Sequence, residues 1–438
     1  GGIYDHIGGG FSRYSVDEIW LVPHFEKMLY DNALILELLS DVWKTTKSPI
    51  YQQRVFETIG WMLDDLRIHH GDLFGLASAR DADSEGVEGK FYVWSKDEIE
   101  NVLGADSEFF CQIYSISEHG NWEGSNIAHR QTDEKELSKT ELSLLENCRN
   151  KLLAVRNNRI APMRDDKILA DWNALAVSAL VQCSHVFEEP AWLEAAQIIY
   201  DFIKNHMMKN DRINHSWCDG QLRHNATLDD YANLSRAALS LHQATADPGY
   251  LIDAKSWVEA ANTWYWDDDD GGYFLSASDT HDVFIRNKVI FDNATPSGNG
   301  IMLDALARLF VITGEENYRM RAQNLIDAIC PAEPNGILNQ PSLAIGYEIL
   351  SSCAQVVIAL PDNKDPIGNP LVQAAQKAAP LHFTVSVIYP DQILRDSHPA
   401  FGKNTLDGHA AAYICRNQSC ELPITNPDEL TDSLFNYG

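Results

Sequence analysis

The stretch "YDNALILELLSDVWKTTKSPIYQQRVFETIGW", residues 30–61, contains two apolar runs separated by a short polar turn. In it, Ala33 lies eighteen positions before Tyr51, and Val55 and Ile59 follow Tyr51 at steps of four. A four-residue apolar step is helical spacing, and Pro49 marks a point where one helix ends and the next begins. The stretch predicts two helices of about 15 to 18 residues joined by a short turn.

This helical pair is an internal repeat. The eighteen-residue offset recurs from Ala174 to Trp192, from Ala232 to Tyr250 and from Gly300 to Tyr318. The predicted pairs occupy 24–68, 171–208, 229–265 and 298–330, with a less regular fifth pair in 95–156. A sixth pair would lie upstream of Gly1 or use a helix near 342–353; the leading "IGGGF", which resembles the tail of a pair, favours the upstream position.

Short glycine-containing segments connect the pairs. The segments "HGDLFGLASARD" (70–81), "DGGYFLSASD" (270–279) and "IGGGFSRYS" (7–15) share glycine, an aromatic residue and small residues, and they read as extended turns or hairpins. Pairs that cannot bury their apolar faces alone must stack on one another. The long, irregular repeats favour a closed ring over an open solenoid, so residues 1–353 are predicted to form an all-α (α/α)6 toroid.

The sequence pattern changes from helical pairs to strands after residue 353. An apolar strand, a short helix near 370–379 and a second apolar strand follow one another. Residues 354–438 are therefore predicted to form a small βαβ-like α/β appendage in which Val356–Leu360 and Phe383–Tyr389 pair in parallel.

Composition excludes several classes of function. The chain of 438 residues carries 34 basic and 63 acidic groups, a net charge of −29, which argues against nucleic acid and acidic membrane surfaces as partners because phosphate binding needs clustered Lys and Arg. No apolar run is long enough to span a membrane, and the eight scattered cysteines are not a disulfide framework. The expected location is the cytoplasm.

In a toroid, the first helix of each pair lines the inside, and its start faces one common mouth. The residues just before the four small anchors are Asp31-Asn32, Trp172-Asn173, Asp230-Tyr231 and Gly298-Asn299. Aromatic rings stack on apolar sugar faces and carboxylates accept hydroxyl hydrogens, so such a mouth suits a neutral sugar. The predicted substrate-binding residues are Trp172, Asn173, Tyr231, Trp94 and Asn299.

The predicted catalytic residues are Asp31, Asp83, Asp230, His24 and Glu26. Two convergent carboxylates are what glycoside hydrolysis requires, and a histidine near a sugar supplies the acid or base of an epimerase. A helix cap is an equally good interpretation of Asp230, and Asp83 lies in "RDADSEGVEGKFYVW" (80–94), where a solvated loop is the alternative. Core packing is the alternative for Trp172 and Asn173.

No cofactor and no metal are predicted. The acidic loop at 80–94 lacks the spacing of an EF-hand, and "PSGNG" (296–300) lacks the spacing of a phosphate loop. Cys415 and Cys420 either form a disulfide or bind a metal, but two cysteines without a second pair fall short of a structural zinc site.

Several motifs together resemble a known family. They are "GGIYDHIGGGFSRYSVDEIWLVPHFEKMLYDN", "DADSEGVEGKFYVWS", "GNWEGSNI", "RDDKILADWNAL", "PSGNG" and "AAYICRNQSC". Across nearly the whole chain they resemble the thioredoxin-domain-containing proteins related to spermatogenesis-associated protein 20, without the N-terminal thioredoxin-like domain. One departure is Ala174, where the family pattern usually reads W-N-G.

The resemblance implies a fold similar to six-hairpin glycosidases and N-acylglucosamine 2-epimerases. Two functions follow as expectations. The first is a carbohydrate-active enzyme, an epimerase/isomerase or a glycoside hydrolase, acting on a neutral sugar at the toroid mouth. The alternative is a non-catalytic binding or scaffold module that partners a thioredoxin-like domain in redox or protein quality control.

Overall fold

The computed structural model describes residues 1–130, 137–281, 283–330, 334–362, 366–417 and 419–437. The chain forms two compact units, Gly1–Leu169 and Ala170–Gly438. The boundary predicted between residues 353 and 354 lies within the second unit and stays a prediction.

The first unit contains five α-helices and several short strands. The helices are α1 (Leu29–Thr46), α2 (Pro49–Asp65), α3 (Lys96–Leu103), α4 (Ser107–Ile113) and α5 (Lys139–Arg156), with a 3-10 turn at Gly104–Asp106. The strands are Lys27–Met28, Arg67–His70, Leu73–Leu76, Ala79–Arg80, Asp83–Ser84, Val87–Glu88, Arg164–Asp165 and Ile168–Leu169. The predicted fifth pair in 95–156 is therefore three helices, in which α3 packs on both α4 and α5.

The second unit contains the other predicted pairs. Its helices are α6 (Ala170–Phe187), α7 (Pro190–His206), α8 (Leu228–Thr245), α9 (Pro248–Trp264), α10 (Gly298–Thr313), α11 (Glu316–Ile329), α12 (Pro341–Ser352), α13 (Pro370–Ala378) and α14 (Pro427–Phe435), with a 3-10 turn at Pro334–Asn339. Its strands are Met208–Lys209, Arg212–Cys218, Gln221–Asn225, Gln355–Ala359, Thr384–Ile388, Ala411–Arg416 and Ser419–Cys420. The four predicted pairs are confirmed as α1–α2, α6–α7, α8–α9 and α10–α11.

The turn inside each pair has the same construction. One residue in the left-handed conformation ends the first helix: Lys47, Glu188, Ala246 or Gly314, with φ of 52°, 60°, 56° and 69°. In three of the pairs proline then occupies the first turn of the second helix, at Pro49, Pro190 and Pro248. Proline suits that position because its missing N–H would have no helical partner and its φ is already helical.

Within the second unit, α6, α8, α10 and α12 lie side by side as a central row. Almost every residue of α6 and α10 is buried, whereas α9 buries only Ala254, Trp257, Val258 and Ala261. A helix that is apolar on all sides must be covered on all sides. The helices α7, α9 and α11 accordingly pack against α6, α8 and α10 as an outer row.

An asparagine repeated before two of the small anchors ties the connector to the helix. Asn32 accepts a hydrogen bond from Phe11 N at 2.7 Å and donates one to Phe11 O at 3.0 Å. Asn299 holds Tyr273 in the same way, accepting from its N–H and donating to its carbonyl, both at 2.9 Å. Both asparagines are 0% exposed, so each satisfies a buried backbone segment that would otherwise be unpaired.

The same connectors share a glycine turn closed by a lysine. In the first unit, Lys27 Nζ lies 2.7 Å from Asp5 Oδ2 and donates to Gly9 O at 2.7 Å. The counterparts in the second unit are Lys288, Asp267 and Gly271, with distances of 2.6 Å for both contacts. Gly9 has φ +79°, and a Cβ there would lie 2.3 Å from the Glu57 carbonyl oxygen, so the turn requires glycine.

The appendage prediction is confirmed. Gln355–Ala359 pairs in parallel with Thr384–Ile388 and antiparallel with Ala411–Arg416, and α13 lies between the two parallel strands in sequence, as a crossover requires. Fifteen buried apolar residues between Ala354 and Leu434 form a hydrophobic cluster. The antiparallel strand was not predicted; it continues into a hairpin in which Cys415 and Cys420 form a disulfide.

Candidate active site

The starts of three central helices meet in the second unit. Asp171 in the first turn of α6 donates its backbone N–H to Asp230 Oδ1 in the first turn of α8, at 3.0 Å. A Cβ on Gly298, the first residue of α10, would lie 2.3 Å from Asp229 Oδ1. The repeat therefore does bring together polar groups from different pairs, as the sequence predicts for helix starts.

Asp230 is the most constrained carboxylate of this cluster. It is 0% exposed and accepts hydrogen bonds from Thr227 N at 2.7 Å, Thr227 Oγ1 at 3.1 Å and Asp171 N. His215 Nδ1 lies 3.0 Å from both of its oxygens. These contacts combine the helix-cap role with a second one, because a buried carboxylate bonded in this way fixes the orientation of the imidazole.

His215 lies in the long strand Arg212–Cys218, and its side chain is 27% exposed. Burial lowers its pKa, but the hydrogen bond and the charge of Asp230, with the charges of Asp171 and Asp229, raise the pKa to about 9. The imidazole is therefore a cation at neutral pH.

Two further carboxyls share this environment. Burial, followed by the charge of Asp230, raises the pKa of Asp229 to about 6, although the Gly298 N–H and His215 oppose the shift. No hydrogen bond of ordinary geometry reaches the buried Oδ1 of Asp229 among the described residues. Burial and the charge of Asp230 raise the pKa of Asp171 well above its usual range. The cluster thus holds groups that titrate on both sides of neutrality.

The same residues have the chemistry of a metal site. Ligand atoms of Asp171, His215 and Asp230 lie within 4.8 Å of one another, and carboxylate with imidazole suits several divalent ions. In this arrangement, however, His215 Nδ1 and both Asp230 oxygens are bonded to each other, so a cation would have to displace that bond. The expectation of no metal stays a prediction.

In the first unit, Asp31 is a carboxyl whose pKa is raised toward neutrality. Burial raises its pKa to about 7; Arg13 and Tyr30 oppose the shift and Glu26 adds to it. Its Oδ2 is buried without a hydrogen-bond partner among the described residues. Burial thus brings the pKa of Asp31 close to neutrality, and its catalytic assignment stays a prediction.

The other predicted catalytic residues of the first unit lie at or near the surface. His24 Nδ1 is 3.3 Å from Glu88 Oε1, and Glu26 Oε2 is 3.4 Å from Arg13 Nη1. Asp83 is exposed and stands opposite Glu88 in a two-residue hairpin. Their catalytic assignment stays a prediction.

Most of the predicted substrate-binding residues are buried. Trp94, Asn173, Tyr231 and Asn299 are all 0% exposed. Trp94 lies in the core of the first unit under the guanidinium of Arg159, 3.9 Å from the ring centroid. Trp172 is partly exposed, so of the five it is the one placed to touch a ligand without rearrangement.

The sequence predicts no catalytic role for three residues of the cluster, Asp171, Asp229 and His215. A signal for Asp171 exists, because Asp171 and Asp229 both stand three positions before a small anchor, at Ala174 and Ala232. His215 has no such signal, since it lies in a connector strand and reaches Asp230 through tertiary structure alone.

Helical pairs with a carboxylate cluster at their helix starts define a carbohydrate-active-enzyme-like fold of the six-hairpin glycosidase class. The chain belongs to glycosyl hydrolase family 76, whose family model matches residues 128–381, more than half of its length. This membership confirms the fold class expected from the repeats.

Curated relatives confirm the resemblance to spermatogenesis-associated protein 20. The human protein of that name is 28% identical, with 98% of this chain and 60% of that protein covered. An uncharacterized protein of Caenorhabditis elegans is 27% identical, with 100% of this chain and 64% of that protein covered. The chain thus spans less than two thirds of the length of these relatives.

Solved structures with a related arrangement include a sugar epimerase from a ruminal bacterium, at 11% identity and a TM-score of 0.48 over 75% of this chain and 67% of that chain. A family 76 α-mannanase of Bacteroides thetaiotaomicron shows 12% identity and a TM-score of 0.32 over 68% of this chain and 73% of that chain.

Among the described residues, no helix is both long enough and apolar enough to cross a membrane.

Proposed function

We propose that this protein is a carbohydrate-active enzyme that transfers protons on a neutral sugar, as an epimerase or isomerase does, with Asp229 and His215 as the acid–base pair. The observation that carries the proposal is the convergence of Asp229, Asp230 and His215 at the helix starts, where His215 Nδ1 lies 3.0 Å from both oxygens of Asp230; the pKa shifts support it. At pH 7 Asp229, with a pKa of about 6, is mainly a carboxylate, and His215, with a pKa of about 9, is mainly an imidazolium.

Each group then has a defined task on an open-chain sugar. The Asp229 carboxylate removes the proton from the carbon next to the carbonyl, while His215 gives its proton to the carbonyl oxygen, so that an enediol forms. Return of the proton from Asp229 to the former carbonyl carbon, with the neighbouring hydroxyl proton going back to His215, gives the isomer. The epimer forms when the enediol first turns its other face toward Asp229, which returns the proton to the same carbon while His215 takes back the proton of the former carbonyl oxygen. In both cases Asp229 ends as a carboxylate and His215 as an imidazolium.

The surrounding residues keep this pair in place. Asp230 accepts a hydrogen bond from the Nδ1 proton of His215 at 3.0 Å, which orients the ring and leaves the proton on the other ring nitrogen for transfer. The absence of a side chain at Gly298 leaves room for the Asp229 carboxyl. We treat Asp230 as a positioning residue, because it is completely buried.

Glycoside hydrolysis is the second candidate, and membership of glycosyl hydrolase family 76 favours it. In that reaction a protonated carboxyl with a raised pKa donates to the leaving oxygen, which Asp229 does best below its pKa of about 6. The two reactions therefore predict different pH profiles, with proton transfer fastest between about pH 6 and 9 and hydrolysis falling above about pH 6.

The test uses ²H₂O and a panel of neutral mono- and disaccharides. Epimerisation or isomerisation incorporates deuterium at the carbon next to the carbonyl, which NMR detects, whereas hydrolysis leaves carbon-bound hydrogens unchanged and releases new reducing ends. Asp229→Asn lowers kcat/KM by about 10²- to 10⁴-fold, with Asp268→Asn, at an exposed carboxylate of the second unit, as the matched control. Asp31→Asn tests separately whether Asp31 takes part. If no sugar turns over, the proposal is wrong and the scaffold alternative with a thioredoxin-like partner is the remaining one.

A further inference from the structure

A separate cavity of about 360 Å³ lies within the first unit. It is in the size range of sites for small organic molecules. Its charged wall residues are Lys27, Asp64, Asp65, Arg80 and Arg156, and its aromatic wall residues are Trp61, Phe91 and Tyr92. None of these residues belongs to the carboxylate cluster of the second unit.

Two of the wall cations are almost completely buried. Lys27 is 1% exposed and Arg156 is 3% exposed. Both pair with the same carboxylate: Lys27 Nζ lies 2.7 Å from Asp5 Oδ2, and Arg156 Nη1 lies 2.9 Å from Asp5 Oδ1. Two buried cations thus share one anion, and an uncompensated positive charge is costly in such a place.

The two cations also have donors left over. Arg156 Nε is buried and has no hydrogen-bond partner among the described residues. Lys27 uses two of its three N–H groups on Asp5 and Gly9 O, and its ammonium lies 5.0 Å from the Trp61 ring centroid and 5.1 Å from that of Tyr92. An acceptor in the cavity would satisfy donors that the protein leaves unpaired.

The third wall cation is already neutralised. Arg80 donates from Nε to Asp65 Oδ2 at 3.0 Å and from Nη1 to Pro162 O at 2.8 Å, and its Nη2 forms an ion pair with Asp65 at 2.5 Å. Asp64 is on the exposed side of α2. The buried positive charge that Asp5 leaves unmatched therefore lies at Lys27 and Arg156, while Asp64 adds a negative charge at the exposed side of the wall.

The corresponding turn in the second unit shows which of these contacts belong to the fold. There Lys288 pairs with Asp267 and Gly271 O and closes the same glycine turn, without the second cation that Arg156 supplies to Asp5. What the first unit adds is Arg156, whose guanidinium lies 5.1 Å from the Phe91 ring centroid and 5.5 Å from that of Tyr92. In the second unit Lys288 and Arg286 also lie over an aromatic ring, 5.1 Å and 4.1 Å from the Phe274 centroid, so among the described residues it is the second cation on the turn's aspartate that distinguishes the first unit.

Gly8 is part of this addition. A Cβ at Gly8 would lie 1.8 Å from Arg156 Nη2, so glycine at this position is what allows the guanidinium to reach Asp5. The first glycine of the "GGG" run therefore serves the cation pair, while Gly9 and Gly10 serve the turn.

We propose that this cavity binds a ring-shaped organic anion about the size of a hexose, such as a sugar acid or a sugar phosphate. Carboxylate and phosphate oxygens both match the unpaired donors of Lys27 and Arg156. The rings of Trp61, Phe91 and Tyr92 offer apolar surface to the body of the ligand. This site is independent of the proposed acid–base reaction.

The test measures binding of glucuronate and of glucose 6-phosphate by isothermal titration calorimetry, with glucose and inorganic phosphate as the neutral and ringless controls. At least one of the two ring-shaped anions is expected to bind about tenfold more tightly than either control. A tenfold difference in Kd corresponds to roughly the free energy of one charge-assisted hydrogen bond. If neither binds, the proposal is wrong; if inorganic phosphate binds equally well, the cavity recognises charge alone and the ring requirement is wrong.

Four variants, two of them controls, locate the site. Ala161→Trp places a large side chain at a cavity wall residue without removing an ion pair, and it should abolish binding. Asn158→Trp, which is exposed and outside the cavity lining, is the matched control and should bind normally. Arg156→Lys keeps the charge but removes the Nε donor, so binding should weaken about tenfold while circular dichroism shows an intact fold. Asp229→Asn should leave anion binding unchanged. Unaltered binding in Ala161→Trp would place the ligand elsewhere and overturn the assignment.

Discussion

Replacing Asp229 with Asn should stabilise the protein while it abolishes turnover. The folded protein raises the pKa of Asp229 from 3.8 to about 6, so the folded state binds the proton more tightly than the unfolded state. The carboxylate form is therefore disfavoured by folding, and stability is lost as pH rises from about 4 to about 6 and stays at the lower level above that. Two pKa units correspond to about 3 kcal/mol, which is the gain expected for the uncharged amide at pH 8.

The assay is urea denaturation of both proteins at pH 4 and pH 8. Asp229→Asn should unfold at nearly the same urea concentration as the parent at pH 4 and at a clearly higher one at pH 8. Asp230→Asn is the matched neighbour with the opposite expectation: its carboxylate accepts the bonds from Thr227, Asp171 and His215, and an amide that replaces one acceptor by a donor costs about 1 to 3 kcal/mol. If Asp229→Asn is destabilised at pH 8, Asp229 is a helix-start residue that the fold needs in its charged form, and its assignment as the proton-transfer group fails.

Three further outcomes are expected. His215→Gln should remove a pH dependence of stability. The folded state raises the pKa of His215 from 6.5 to about 9, so the charged imidazole contributes about 3 kcal/mol below pH 6.5, and this contribution is lost as pH rises through 9. Urea titrations of parent and variant that give the same difference in unfolding free energy at pH 6 and at pH 10 would contradict this. Asn299→Ala should lower the unfolding free energy by about 3 kcal/mol, since Tyr273 loses both partners in a buried place, and a loss below 1 kcal/mol in the same assay would show that the clamp is dispensable. Gly298→Ala should reduce turnover without loss of any polar group, because its Cβ would lie 2.3 Å from Asp229 Oδ1; normal kcat/KM in this variant would mean that Asp229 does not need its present position.

The helical pairs were predictable because the chain repeats them. The offset from Ala33 to Tyr51 and its three recurrences identify α1–α2, α6–α7, α8–α9 and α10–α11, since helical spacing and a proline turn are local signals. The parallel strands of the appendage were predictable from local signals too, because two apolar runs flank a short helical segment. The strand Ala411–Arg416 was not, because its pairing with Gln355–Ala359 depends on contacts far apart in sequence.

The site was predictable only in part. The sequence places Asp229 and Asp230 at a helix start. The small anchors point to the residues two positions before them, such as Asp230, whereas Asp171 and Asp229 lie three positions before an anchor. Asn299 was expected to touch a ligand and instead clamps the backbone of Tyr273, because a buried amide satisfies a donor and an acceptor at once. His215 becomes recognisable only when the strand that carries it is packed against α8.

The burial of α6 on all sides affects the newly made chain as well as the finished protein. Its sequence "ADWNALAVSALVQCSHVF" has no polar face to present to water, and the helices that cover it, α7 and α8, follow it in the chain. Until both helices have been synthesised and have packed against it, α6 exposes apolar surface that can associate with other chains. Substitutions on the inward face of α7, such as at Ile199 or Ile203, are therefore expected to show first as aggregation and low yield during expression.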